Sequence, residues 1–151
     1  MNADQSVSGA DTPPGRAYTA PAVTVYYDAT RCVHFAECVR GLPEVFDTAK
    51  RPWIQPEQAT ADQVAEVIRR CPSGALHYVQ ESGPAEQPDT VTTVVPWPGG
   101  PLLLRGDLRL SLSDKDSEGA PRFVRETRMA ACRCGRTANT PFCDGSCDLH
   151  K

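Results

Sequence analysis

The seven cysteines of this 151-residue chain are its most constraining feature, because they form two separate groups with none left over. The first group lies in the N-terminal half and consists of Cys32, Cys38 and Cys71. The second group lies within the last twenty residues and consists of Cys132, Cys134, Cys143 and Cys147. A packed core does not need four thiols at that density, whereas a metal centre does, and an odd number of cysteines argues against a closed disulfide framework. The sequence therefore predicts two metal centres.

Charge and hydropathy exclude several classes of protein. The net charge of −3 argues against a nucleic-acid partner, which would favour a basic surface. The polar N-terminus lacks the basic start and apolar segment of a signal peptide. No segment approaches the roughly 20 apolar residues of a membrane span. We therefore expect a soluble, cytoplasmic protein, in which thiols stay reduced and are available to bind metal.

Composition divides the chain into four segments. Residues 1–21 are polar and rich in Gly, Ser and Pro, which predicts a disordered tail. Residues 22–80 and 91–151 are the two candidate domains, and residues 81–90 form a Pro- and Glu-rich linker. We expect an α+β fold in which each half has a small core that a bound metal stabilises.

Local patterns predict the individual elements. VTVYY at residues 23–27 and residues 75–80 read as strands, and a short helix is expected at about residues 35–40. Thr60 and Gln63 form a capping-box pattern before a helix with apolar residues at helical spacing. The second half has short strands in VTTVV, LLLR and DLRLSL, then residues 123–131. Thr140-Pro141 predicts the start of a last helix.

The spacing of the first cysteine group indicates an iron–sulfur cluster. Cys32 and Cys38 match the outer positions of the C-x2-C-x2-C run of bacterial ferredoxins, and Cys71-Pro72 supplies the distant Cys-Pro. Phe35 occupies the middle position and cannot bind iron, so a 3Fe–4S cluster is the direct interpretation. A 4Fe–4S cluster requires another ligand or water on the fourth iron, and His34 is a candidate. The alternatives are that His34 packs or hydrogen-bonds beside the cluster, or that three cysteines and His34 bind zinc.

The second group can hold a 2Fe–2S cluster. In a strand, Cys132 and Cys134 point to the same side, and a helix from Pro141 would place Cys143 and Cys147 one turn apart. Four thiolates from two elements can bind two irons. Zinc bound by the same four cysteines is the alternative.

Two resemblances add to this interpretation. The segments RCVHFAECVRGLPEVFD, RPWIQP and CPSGAL resemble divergent mono-cluster ferredoxin-like domains over about residues 22–80. This resemblance implies a ferredoxin-like βαβ domain with one cluster.

Residues 91–151 resemble the CDGSH iron–sulfur family, to which mitoNEET belongs. Its pattern is matched in place by Cys132, Cys134, Thr137, Pro141, Cys143, Asp144, Gly145 and Ser146. The resemblance implies a small β-rich domain with a 2Fe–2S cluster. The last ligand of that family is histidine, whereas this chain has Cys147, four residues after Cys143. We predict that Cys147 replaces the histidine, in preference to His150.

These features predict a two-cluster protein that transfers single electrons. The alternatives are cluster storage, cluster transfer or redox sensing, and then a zinc-stabilised binding module. The sequence has no nucleophile–base pair, phosphate-binding loop or paired carboxylate motif, so we expect no enzymatic activity. The expected partner is a redox protein or an apo-acceptor protein, with no nucleic acid and no membrane. The CDGSH resemblance also implies a homodimer.

Overall fold

In the described part of the chain, the fold consists of two three-stranded antiparallel sheets joined by loops, two short α-helices and two 3-10 turns. The structure, a computed structural model of the chain, describes residues 13–83, 85–115, 119 and 121–144. The first sheet contains β1 (Arg16–Thr19), β2 (Val23–Tyr27) and β3 (Leu76–Gln80), in the order β1-β2-β3. The second contains β4 (Thr93–Pro96), β5 (Leu102–Lys115) and β6 (Pro121–Ala131), with β5 in the centre.

The first sheet confirms two predicted strands and corrects the predicted tail. β2 and β3 lie where the sequence places them, and Val23 and Val25 are buried on the inner face of β2. The disordered tail expected over residues 1–21 is wrong for residues 16–19, which form β1 and pair with β2. The partly buried Tyr18 packs against the core and holds this strand in place.

Two helices lie between β2 and β3 in the sequence. They are α1 (Glu37–Gly41) and α2 (Ala61–Arg69). Because β2 and β3 are adjacent and antiparallel, their connection is not the parallel crossover of a βαβ unit. The ferredoxin-like βαβ arrangement is therefore not confirmed. None of the helices in the described part of the chain has the length and apolar character needed to cross a membrane.

Helix α2 begins where the sequence predicts. The Gln63 N–H donates to Thr60 Oγ1 at 3.1 Å, and the Thr60 N–H donates to Gln63 Oε1 at 3.0 Å. The predicted apolar face is buried through Val64, Val67 and Ile68. The helix ends at Arg69, so Cys71 lies in the turn after it and not on its last turn.

The capping box gives a first prediction. Thr60→Ala removes an N-cap acceptor, which should lower the free energy of unfolding by about 1 kcal/mol. For a chain of this size we expect the melting temperature to fall by about 2–4 °C in calorimetry. Thr48→Ala, which changes an exposed threonine in a turn, is the matched control and should leave it unchanged. Equal shifts in the two variants would contradict a role for the cap.

The second sheet contains one long strand where the sequence predicts two short ones. LLLR and DLRLSL join in β5, with a register shift between Arg105 and Leu108. Gly106 has a φ of +146°, and a Cβ there would collide with Thr92. Only glycine therefore lets the strand bulge at this point and continue. Leu108 is buried, as its alternating position predicts.

The helix predicted from Pro141 is wrong for the described residues. Phe142 forms an antiparallel bridge with Ala131. The Cys132 N–H donates to the Pro141 carbonyl at 2.9 Å, and the Cys143 N–H donates to the Ala130 carbonyl at 2.7 Å. A β-bridge requires extended backbone at Phe142, and the Pro141 carbonyl already accepts from Cys132, so neither residue can take part in the first turn of a helix. Cys147 and His150 lie outside the described residues.

Candidate metal centres

The first cysteine group lines a single cavity. Cys32 follows a 3-10 turn, Cys38 lies in α1, and Cys71 follows α2. All three are partly buried and line the same cleft. Three thiols that are separated by up to 39 positions in the sequence thus line the same cavity, and their role as cluster ligands stays a prediction.

Backbone anchors fix the position of Cys32. The Asp28 carboxylate accepts a hydrogen bond from the Thr30 N–H at 3.1 Å and so caps the 3-10 turn Ala29–Arg31. The Asp28 N–H donates to the Ala75 carbonyl at 2.8 Å, next to β3. The turn that carries Cys32 is therefore tied to the segment that follows Cys71.

The loop between Cys32 and Cys38 has an unusual backbone. His34 and Ala36 have φ values of 62° and 66°, in the left-handed region that residues other than glycine rarely adopt. Phe35, between them, lines the cavity at the position where ferredoxins carry their middle cysteine. Its ring meets Trp97 edge-on, with ring centroids 5.0 Å apart. Backbone strain of this kind is concentrated at functional sites.

His34 lies beside the first thiol. Its Nδ1 is 3.8 Å from Cys32 Sγ, and its side chain also lines the cavity. An imidazole at this distance can act as an N–H donor to a thiolate. Both roles predicted for His34 stay predictions.

Burial and neighbouring charge oppose ionisation of the Cys38 thiol in this cavity. Burial, followed by the charge of Cys71, raises the pKa of the Cys38 thiol to about 11. Burial and the neighbouring Cys32 also raise the pKa of Tyr27, whose ring lines the same cavity. Three thiolates cannot share this space unless positive charge compensates them. Bound iron would supply that charge, so the cavity fits thiols that lose their protons when the metal binds.

The second cysteine group is held at the end of β6. Cys132 follows the strand, and Cys134 lies in the next turn, which uses a φ of +78° at Gly135. The Gly135 N–H donates to Cys132 Sγ at 3.2 Å, and the Arg136 N–H donates to Cys134 Sγ at 3.3 Å. Backbone donors aimed at sulfur stabilise the thiolate form, which is the form that binds metal.

The spacing of these two sulfurs suits one metal ion. Cys132 Sγ and Cys134 Sγ lie 3.8 Å apart. A tetrahedral metal with bonds of about 2.3 Å to sulfur separates its ligands by about 3.8 Å. Burial alone would raise the pKa of Cys132, but hydrogen bonds from the backbone of Thr137 and Gly135 outweigh it and hold that pKa below its ordinary value. This pair is therefore preorganised to bind as thiolates.

A hydrogen-bonded loop returns the chain to the end of β6, where the Cys143 N–H donates to the Ala130 carbonyl. Thr137 Oγ1 donates to the Phe142 carbonyl at 2.6 Å, and the Ala138 N–H donates to Asp144 Oδ2 at 3.0 Å. Cys143 itself is 3% exposed. The Thr and Asp of the CDGSH pattern thus close the loop by hydrogen bonds, with Asp144 as an acceptor for a backbone N–H.

Neither group forms a complete site for a single ion within the described residues. In that part of the chain, no three His, Cys, Asp or Glu side chains stand close enough to hold one metal ion. A cluster distributes its ligands over several irons and so places them farther apart than one ion does. The donor types and the shared cavity fit thiolate-bound iron–sulfur clusters.

Sequence reasoning missed the buried ionic residues that join the two halves. Arg31 and Arg128 are 3% and 1% exposed, and Glu126 is 9% exposed. Arg31 NH1 lies 2.8 Å from Glu126 Oε2, and Arg128 contacts Glu86 in the predicted linker. The sequence offered one signal for these residues, which is that Arg31 directly precedes Cys32, a predicted ligand.

Comparisons with known proteins match each half separately. A family profile described as divergent 4Fe-4S mono-cluster matches residues 18–81, and one described as iron-binding zinc finger CDGSH type matches residues 99–148. Uncharacterized protein YjdI of Escherichia coli strain K12 is 41% identical over 63 residues, which cover 42% of this chain and 83% of that protein. The YjdI protein of Escherichia coli O157:H7 matches to the same extent. No solved structure matches the chain.

The two family profiles identify this chain as an iron–sulfur-binding protein. The chain belongs to the divergent 4Fe-4S mono-cluster family, and a CDGSH-type iron-binding domain follows in its C-terminal part. Both resemblances stated from the sequence are thereby confirmed.

Proposed function

We propose that this protein carries two iron–sulfur clusters and transfers single electrons. The observation that carries the proposal is the separation of the thiols into two sets, each inside the range of a different iron-binding profile. Iron–sulfur clusters accept single electrons, and their potentials depend on ligand type, hydrogen bonds to sulfur and exposure. The N–H donors to Cys132 and Cys134 are hydrogen bonds of this kind.

Each set has an assigned cluster in this proposal. The first binds a 3Fe–4S cluster, or a 4Fe–4S cluster if a group such as His34 or water completes the fourth iron. The second binds a 2Fe–2S cluster through Cys132, Cys134, Cys143 and Cys147. The protein is not an enzyme in this proposal, and it works in the cytoplasm with a protein redox partner.

A second function is favoured by the exposure of the second site. Arg133, Gly135 and Arg136 are exposed, so the turn that carries Cys132 and Cys134 lies at the surface. A cluster held at a surface turn is accessible to another protein. Storage or transfer of the cluster to an apo-acceptor, or redox sensing, is therefore the alternative to electron transfer.

Metal analysis of anaerobically purified protein tests the proposal. We expect about five irons per chain with a 3Fe–4S cluster, or about six with a 4Fe–4S cluster, and about six acid-labile sulfides in either case. EPR of the oxidised and reduced protein distinguishes the two. About two irons would contradict the first site, and stoichiometric zinc without iron would contradict both. Retention of the 2Fe–2S cluster through repeated redox cycles, beside an apo-acceptor, would favour electron transfer over cluster transfer.

A further inference from the structure

The side chain of Arg31 lies between the two candidate metal centres. It is buried at 3% exposure, and it directly precedes Cys32. NH1 is 2.8 Å from Glu126 Oε2, while NH2 donates to the Ser73 and Arg128 carbonyls, each at 3.1 Å. One guanidinium therefore joins the segments around Cys32 and Cys71 to strand β6, which leads to the second thiol group.

Arg31 also contacts the other ligand segment of the second site. Its guanidinium carbon lies 4.2 Å from the ring centroid of Phe142, the residue before Cys143. Nearby, Asn139 Nδ2 donates to Thr30 Oγ1 at 3.2 Å, which joins the CDGSH loop to the 3-10 turn before Cys32. The ligand-bearing segments of the two sites are thus in direct contact.

The residues around Arg31 pack closely against its guanidinium. Gly74 has a φ of +73°, and a Cβ there would overlap Arg31 NH2 and the Arg128 carbonyl oxygen. Glu126 also pairs with His77, with 3.2 Å between Oε1 and Nε2. Arg31 Nε is buried and has no hydrogen-bond partner among the described residues. The partners of Arg31 lie on several segments of the chain. Its guanidinium therefore cannot move with one cysteine-bearing segment without losing its contacts to the other segments.

We propose that Arg31 is a positioning residue that couples the two metal centres, so that occupancy of one changes how firmly the other holds its cluster. The proposal rests on the proposed function, since it needs both sites to bind clusters. Coupling between sites is reciprocal, and values of about 5-fold to 150-fold are typical. Lysine would keep the charge but cannot form the guanidinium fork that Arg31 uses.

The test compares cluster retention in four full-length proteins. The second site is disabled by Cys134→Ala, in the natural chain and in an Arg31→Lys background. Each protein is exposed to an iron chelator, and loss of the first cluster is followed by EPR and by bound iron. We expect Cys134→Ala to speed that loss at least about 5-fold in the natural chain. In the Arg31→Lys background, Cys134→Ala should change the rate of first-cluster loss by less than about 2-fold.

Two further variants separate coupling from a folding defect. Gly74→Ala keeps Arg31 but displaces its guanidinium, and it should remove the coupling as Arg31→Lys does. Arg125→Lys alters an exposed arginine on the same strand, whose partner is Asp107, and should leave the coupling intact. Circular dichroism checks that all variants fold.

The outcomes distinguish this inference from the proposed function. Natural protein without iron would overturn both. Natural protein with both clusters, but with first-cluster retention unchanged by Cys134→Ala, would overturn the coupling alone. Coupling that persists undiminished in folded Arg31→Lys and Gly74→Ala proteins would show that Arg31 is not the residue that carries it.

Discussion

Replacing Arg128 with methionine is expected to lower the free energy of unfolding by about 3–5 kcal/mol, because it leaves a buried charge without its partner. Arg128 is 1% exposed and its guanidinium donates to three carbonyls of the first half, with distances of 2.9 Å to Ile68, 2.9 Å to Cys71 and 3.1 Å to Leu76. It also pairs with Glu86, whose side chain is 9% exposed. In the variant, the buried Glu86 carboxylate therefore loses its Arg128 partner, and three carbonyl groups lose a hydrogen-bond donor.

Calorimetry at one fixed scan rate measures this effect. For a chain of this size, each kcal/mol shifts the melting temperature by about 2–4 °C, so we expect a fall of roughly 10 °C. Because the Cys71 carbonyl loses its donor, the first cluster should also be released faster to a chelator. A fixed scan rate is needed because cluster loss makes unfolding irreversible.

Two control variants identify the cause of this destabilisation. Arg125→Met removes an exposed arginine from the same strand, where Arg125 and Asp107 are 55% and 60% exposed, and should cost at most about 1 kcal/mol. Adding Glu86→Gln to Arg128→Met removes the unpaired charge and should recover part of the loss. If Arg128→Met were no more harmful than Arg125→Met, the buried interface would not be a stabilising element.

The features that the sequence predicted correctly depend on short-range signals. The capping box of Thr60 and Gln63 involves residues three apart, and strand β2 follows from the run of β-branched and aromatic residues in VTVYY. The short spacings within the cysteine groups are a local signal of the same kind, and the assignment of those cysteines as cluster ligands stays a prediction. In each case, the physical cause and the sequence signal lie within a few residues of each other.

The features that the sequence did not predict depend on contacts between residues that are far apart in the chain. Glu126 and Arg128 alternate along β6, and a pattern of charged residues predicts an exposed strand face, but here that face meets the first half. Arg31 and Glu126 are 95 positions apart, so no local pattern pairs them. At Pro141 a local helix signal is overridden by the pairing of Phe142 with Ala131.

The contacts between the halves bear on the predicted domain division. A linker at residues 81–90 suggests that each half would keep its cluster if the chain were cut there. That division stays a prediction. Glu86 lies within the linker and pairs with the buried Arg128, so a cut would disturb the interface as well as the connection.

The fourth ligand of the second site gives the last prediction: Cys147→Ala should remove about two irons per chain, whereas His150→Ala should remove none. The described residues supply three thiols, of which Cys132 and Cys134 are 3.8 Å apart. A 2Fe–2S cluster needs two ligands for each iron, and the CDGSH pattern places the missing one four residues after Cys143, at Cys147.

Iron and sulfide analysis of the purified variants decides between these residues. Cys143→Ala is the positive control, because it removes a thiol that both assignments require, and it should lose the same two irons while the first cluster remains. Cys147→His should keep the iron and raise the reduction potential, since histidine in place of cysteine raises it in Rieske centres. Loss of two irons in His150→Ala, with retention in Cys147→Ala, would instead assign the ligand to His150. A thiolate in place of imidazole adds negative charge and favours the oxidised cluster, so the shift in reduction potential reports on this one ligand.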